Sequence, residues 1–179
     1  MRTLIVVLAL TAAALTAAAQ AARPSPAIEI RVGNAPLDLS QYRGKVVALA
    51  FIDTNCPHCQ DLTRTLIPIS RAYAPRGVQV VECAFNDGAE GLLPRFIQQF
   101  QPPFPVGWTT RSAVLSYLQI SILDTRPLYV PHMVFIDRRG LIRDDYRGES
   151  SFFTNSDTNI RAELDKLLTP TSAVSKSRP

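Results

Sequence analysis

The chain has 179 residues, 46% of them hydrophobic and 19% charged, with a net charge of +4. That composition supports one ordinary domain with its own core. It contains no lysine or arginine block dense enough for a nucleic-acid footprint, and aromatic residues, at 8%, offer no stacking platform for bases.

The first stretch reads as a targeting segment. Arg2 gives a short positive start, Leu4 to Ala18 is apolar and alanine-rich, and Ala19-Gln20-Ala21 has the small-x-small form of a cleavage site. The pattern predicts a secretory signal peptide over residues 1–22. The alternative is an uncleaved anchor, for which the stretch is short and only weakly hydrophobic against a span of about 20 residues. The mature chain is therefore expected to be exported, periplasmic or otherwise outside the cytosol, in a compartment that permits disulfides. It would be membrane-attached only if the leader is retained.

Residues 23–34 are expected to be a Pro/Ser-rich extended linker ending in a short strand, Ile28 to Val32, with a turn at Gly33-Asn34. A globular domain is expected over 35–168. It opens with a loop or single turn, Leu37 to Gly44, and a long apolar strand, Lys45 to Ile52, of the kind covered on both faces. A helix over 57–74 follows, with Leu62, Leu66, Ile69 and Tyr73 near helical spacing. Pro57 suits its first position, and Pro68 is expected to kink it. Val78 to Phe85 predicts a second strand. A helix over 89–100 is expected to be interrupted early by Pro94, and Gln101 to Val106 reads as an extended connector. Arg111 to Gln119 predicts a short helix. His132 to Asp137 and Leu141 to Tyr146 predict a hairpin turned by Arg138-Arg139-Gly140. An amphipathic helix over 157–168 closes the domain, and 169–179 is expected to be a disordered tail. The order β-α-β, helices, β-β-α gives a central mixed sheet with helices on both faces.

Cys56-Pro57-His58-Cys59 stands where the long strand gives way to the first helix. Two cysteines three apart at a helix N-terminus can close and reopen a small disulfide, and the helix dipole favours thiolate at the first. Cys56 is thus the expected nucleophile and Cys59 the resolving thiol. Half of a zinc site is the alternative, but a structural zinc needs four ligands. The only other soft donors are Cys83 and two histidines. No metal and no cofactor is expected.

Several phrases occur together and in order. They are Leu39-Ser40-Gln41-Tyr42-Arg43-Gly44-Lys45-Val46-Val47, the CPHC motif, Gly77-Val78-Gln79-Val80-Val81, Phe104-Pro105-Val106, Val130-Pro131 and Phe135-Ile136-Asp137-Arg138-Arg139-Gly140. In this the chain resembles the thioredoxin superfamily, and within it the exported TlpA/ResA-like branch, over about residues 35–168. The resemblance implies an α/β thioredoxin fold and a thiol–disulfide oxidoreductase acting on cysteines of exported proteins, with a redox partner protein. It also implies that Val130–Pro131 is cis and that Val130 and Pro131 bind substrate. Three positions depart from the family, one being Pro68, which comes later in the active-site helix than is usual. Asn55 stands where a tryptophan is usual, and Ala50 where thioredoxins carry a buried acid.

The Pro57-His58 pair resembles that of DsbA-type oxidases, which points toward oxidation, as does the missing acid. The branch itself points toward reduction. His58 either tunes Cys56 or is a solvated helix-start histidine. His132 either approaches the sulfurs or points away along its strand. Cys83 is expected to be a small buried hydrophobe, and Glu82, on the opposite face, to be partly solvated. Asp53 is either a nearby acid or a loop carboxylate, and Phe104 and Trp108 serve either the substrate groove or the core. Two functional alternatives come from other classes. One is a copper-binding assembly factor using both thiols and a histidine. The other is a peroxiredoxin, whose threonine would precede the nucleophile by three residues, whereas Thr54 precedes Cys56 by two.

Overall fold

The computed structural model describes residues 22–169 except 122, 125 and 126. The expected signal peptide and nearly all of the expected tail lie outside the described residues.

Eight strands form one mixed sheet in the order β1-β8-β7-β4-β5-β6-β2-β3. The strands are β1 (Arg23–Pro24), β2 (Ile30–Val32), β3 (Ala35–Leu37), β4 (Val46–Ile52), β5 (Val78–Ala84), β6 (Val106–Trp108), β7 (His132–Ile136) and β8 (Leu141–Tyr146). Strands β4, β5 and β6 run parallel, while β7 lies antiparallel to β4 on its other side. The helices are α1 (Pro57–Tyr73), α2 (Ala89–Phe100), α3 (Arg111–Tyr117) and α4 (Ser156–Leu168).

Burial on both sides explains why β4 is an unbroken apolar run: all seven residues are buried. Its side chains alternate between two cores. Ala48, Ala50 and Ile52 share one with Leu62 and Leu66 of α1, Leu93 of α2 and Ile160 of α4. Leu49 and Phe51 share the other with Val114 and Tyr117 of α3. Helices thus cover both faces, and the architecture is the thioredoxin-like α/β fold.

Four local expectations are refined. Arg23–Pro24, within the segment read as a linker, pairs with Ile142 and Leu141 at the sheet edge. Val106–Trp108 continues the proline-rich connector as a sixth strand, admitted because Gly107 lets Arg31 O approach; a Cβ there would stand 2.5 Å from that oxygen. α1 and α2 are assigned as continuous helices through Pro68 and Pro94, both on exposed positions. A 3-10 segment, Ser151–Asn155, precedes α4 and forms part of the site described next.

Candidate active site

β4 ends at Ile52, and the chain turns through Asp53-Thr54-Asn55 into α1. Cys56 is the N-cap residue of that helix and Pro57 its first residue, with the Cys56 carbonyl accepting from Gln60 N at 3.1 Å. No side chain caps the helix start, and Cys56 stands at the positive end of the helix. Cys56 is partly exposed and Cys59 is fully buried. The two thiols are in side-chain contact.

The turn is held rigidly. Asn86, at the end of β5, accepts from Thr54 N through Oδ1 and donates from Nδ2 to Thr54 Oγ1, both at 3.0 Å. Gln60 Nε2 donates to Thr54 O at 3.0 Å, and Asp53 Oδ1 accepts from Asn55 N at 2.8 Å. Asp53 N donates to Cys59 Sγ at 3.4 Å. Burial pushes the Cys59 thiol up strongly; the Asp53 N–H opposes this, and the neighbouring Cys56 and Asp53 add to it. The two cysteines are thus differentiated as the spacing suggests, one accessible and one withheld from solvent. Asp53 contributes chiefly its backbone to this arrangement.

The Val130–Pro131 peptide is cis. Pro131 is buried and lines a groove of about 340 Å³ with His58, Leu62, Gly148, Phe153 and Thr154. The far wall of the groove is the 3-10 segment. Phe152 stacks on Tyr146 at 3.9 Å and meets Phe135 edge-on, while Asn159 Nδ2 donates to Phe152 O. Gly148 lies against Val130, where a Cβ would stand 2.8 Å from Val130 O. His58 is exposed, and its ring makes no hydrogen bond among the described residues.

Other expected residues separate from the thiols. His132 pairs across to Phe51 and follows the alternation of Val134 and Ile136, so it lies on the α3 face, away from Cys59. It is buried, with Nε2 3.4 Å from Asp145 Oδ1, inside ionic range but without a hydrogen bond to either ring nitrogen. His132 holds the Asp145 carboxyl below its usual range. Cys83 is buried on that same face. Phe104 is a core residue, and Trp108 packs half-exposed against the core. Glu82 corrects an expectation: it is on the opposite face from Cys83, but wholly buried rather than partly solvated. The cause is α1, whose Thr63 covers it. Asn86 was missed at the sequence level; its only signal there is its place at the strand end beside the Cys56 turn.

Among the described residues no three His, Cys, Asp or Glu side chains are grouped to hold a metal ion, and no helix is long and apolar enough to cross a membrane.

A family model described as AhpC/TSA matches residues 21–145, well over half of the sequence. The chain belongs to the AhpC/TSA family. Solved structures of thioredoxin-like proteins share its fold. A thioredoxin-family thiol:disulfide interchange protein from Chlorobium tepidum is 20% identical with a TM-score of 0.65, covering 81% of this chain and 98% of its own. A thiol:disulfide interchange protein from a Bacteroides species is 17% identical with a TM-score of 0.64, covering 88% and 95%. The thioredoxin domain of a thiol-disulfide oxidoreductase from Bacteroides vulgatus is 18% identical with a TM-score of 0.60, covering 79% and 95%. No curated protein matches the chain.

Proposed function

We propose that this AhpC/TSA-family chain is an exported thiol–disulfide oxidoreductase of the TlpA/ResA-like kind. It exchanges the Cys56–Cys59 dithiol or disulfide with cysteines of other exported proteins. The observation that carries this reading is the asymmetry of the pair: Cys56 partly exposed at a helix N-cap, Cys59 buried behind it in thiol contact. A client sulfur attacks Cys56 while the client chain lies along the groove lined by His58 and Pro131, with Val130, joined to Pro131 by the cis bond, positioning it. Cys56 forms the mixed disulfide, and Cys59 then displaces the client. The fold shared with thiol:disulfide interchange proteins supports the same chemistry. The alanine-rich, small-x-small leader supports export.

The test is trapping. The Cys59→Ser variant, incubated with a disulfide-containing protein, is expected to stall as a mixed disulfide at Cys56, visible by mass and released by reductant. Failure to trap would refute the reading.

The family name keeps a peroxide-reducing function in view. Thr54, however, is buried and committed to Asn86. Peroxide consumption by the reduced protein at a rate matching its thiol exchange would favour that second reading.

A further inference from the structure

The end of the sheet opposite the thiols takes no part in the exchange scheme, and its surface is basic. β4 runs for seven residues from this end to the active-site turn, a separation of about 20 Å at about 3.3 Å per residue. Lys45 stands just before β4. Beside it the turn Arg138-Arg139-Gly140 joins β7 to β8, with Gly44 N donating to Arg138 O at 2.9 Å. Two cavities flank this turn and share Asp137. One, of about 250 Å³, sets Arg43 and Lys45 beside apolar walls from Pro26, Leu39, Val47 and Ile136. The other, of about 680 Å³, is lined by Arg138, Arg139, Arg143 and Lys166.

Charge is concentrated here. Arg2, Lys176 and Arg178 lie outside residues 22–169, which leaves that span sixteen cations against fifteen acids. Six of those cations line the two cavities, against two acids, Asp38 and Asp137. The remainder of the span is therefore net acidic, and the basic end is a local feature of the field. Its acids are already engaged. Asp137 accepts from Arg139 N and Leu141 N, and its carboxylate lies 3.3 Å from Arg143 and 3.6 Å from Arg139. Asp38 accepts from Ser40 N and Ser40 Oγ. Lys166 pairs with Asp144 and Glu163. Arg43, Lys45 and Arg138 are exposed and form no ion pair among the described residues. Two of these side chains lie over glycines. Arg138 Nη2 is 3.9 Å from where a Gly77 Cβ would stand, and a Cβ on Gly140 would overlap the Arg43 guanidinium. Guanidiniums laid against backbone in this way present forked donors to a phosphate.

We propose that this end of the domain docks on an anionic phospholipid surface, with lipid phosphates held by Arg43, Lys45, Arg138 and Arg139. It goes beyond the thiol-exchange reading and does not depend on it. A lipid surface offers a field of phosphates over an apolar phase. The cavity beside Arg43 and Lys45 supplies the matching apolar component, which a nucleic acid or an acidic peptide would leave unfilled. The path of the chain agrees. The apolar residues 4–18 precede β1, β1 pairs with Ile142 and Leu141, and Ser25 N donates to Gly140 O at 3.0 Å. A chain arriving from a membrane therefore meets the fold beside the basic turn. Docked this way, the domain holds Cys56 at its far end, facing water.

The test is co-sedimentation of the full chain with vesicles of phosphatidylcholine alone and of phosphatidylcholine mixed with phosphatidylglycerol. Binding to the anionic vesicles is expected to be about tenfold tighter or more. That preference should vanish in about 1 M salt, where charges act only within about 3 Å. Arg138→Glu/Arg139→Glu should abolish it, and Lys45→Glu, which should weaken it, serves if the double variant does not fold. Arg95→Glu/Arg111→Glu changes the net charge equally, on exposed positions of α2 and α3, and should keep the preference. On the vesicle, Cys56 should alkylate with iodoacetamide within about twofold of its rate in the free chain. Equal or absent binding to the two vesicles overturns the proposal, equal binding meaning that the apolar leader alone holds the chain. Equal losses in the two double variants also overturn it, as does protection of Cys56 on the vesicle. So does retention on polyglutamate or an oligonucleotide without vesicle binding. Glutathione exchange is read separately, and Arg138→Glu/Arg139→Glu should leave it within about twofold.

Discussion

Around β4, one face of the sheet buries Cys59 and Glu82 and the other Cys83 and His132, and the two faces are equipped differently. On the α1 face, Cys59 touches Cys56, takes the Asp53 N–H and shares Thr63 with Glu82. On the α3 face, Cys83 has no such company, and its nearest polar contact is the Ala84 carbonyl at a weak 3.9 Å. Burial pushes both thiols up, yet only Cys59 has an exposed sulfur beside it to react with. The ionisable partners contrast in the same way. Glu82 has a hydroxyl and no counter-charge, so burial wins and the carboxyl is raised. His132 stands 3.4 Å from Asp145, so its side-chain interaction outweighs burial and the Asp145 carboxyl is lowered. A buried cysteine becomes a redox group through its neighbours, not through burial.

The largest expected effect breaks the comparison outright. Cys56→Ser should lower disulfide exchange by about a thousandfold or more, as loss of a nucleophile does. Cys83→Ala should leave exchange within twofold and cost about 1 kcal/mol of stability for the lost sulfur. Parallel exchange assays and denaturant melts check both. A Cys83 variant that loses turnover would erase the distinction between the faces.

Next is stability against pH. The Glu82 pKa is raised in the fold from 4.5 to about 8. Below 4.5 both folded and unfolded states hold the proton, and the full stabilisation is present. As pH rises toward 8, the unfolded chain releases the proton while the folded one keeps it. Stability then falls by up to about 1.4 kcal/mol per pH unit and levels off above 8. Glu82→Gln should lack this slope, so urea melts of the two proteins should diverge steadily from pH 5 to 8. Parallel curves would show that Glu82 is ionised in the fold.

A smaller effect concerns the groove. In Gly148→Ala, the added methyl meets the Val130 backbone. Exchange with a folded disulfide protein should drop by about tenfold, while exchange with glutathione changes little. Equal losses for both would mean the groove does not select clients.

The smallest lies on the α3 face. Asp145 is held down by His132, so its contribution is present at neutral pH and is lost as pH falls through the lowered folded value. Asp145→Asn should cost about 1 kcal/mol at pH 7 and less in acid, and thiol exchange should not change.

Much of this was legible in the residues. The apolar run of β4, the CPHC motif at the strand-to-helix junction and the helical spacing of Leu62, Leu66 and Ile69 each state their structure locally. What was not legible depended on partners far along the chain. Arg23–Pro24 and Val106–Trp108 are too short to announce themselves, and become strands only because β8 and β5 offer free edges. Alternation put Glu82 on the correct face but said nothing of its depth, which α1 decides by laying Thr63 across it. The same alternation placed His132 with Val134 and Ile136, away from Cys59, once the strand register was fixed. Asn86 clamps the active-site turn from 32 residues away, a link no local pattern carries.

The most direct test of the central claim is equilibration of the full chain with glutathione buffers, scoring each cysteine by mass. A single two-electron couple between Cys56 and Cys59 is expected, lost in Cys56→Ser and in Cys59→Ser and kept in Cys83→Ala. A potential near about −120 mV would assign the oxidising direction, and one near about −270 mV the reducing direction. Failure of Cys56 and Cys59 to form a disulfide in any buffer, or a couple that needs Cys83, would contradict the account.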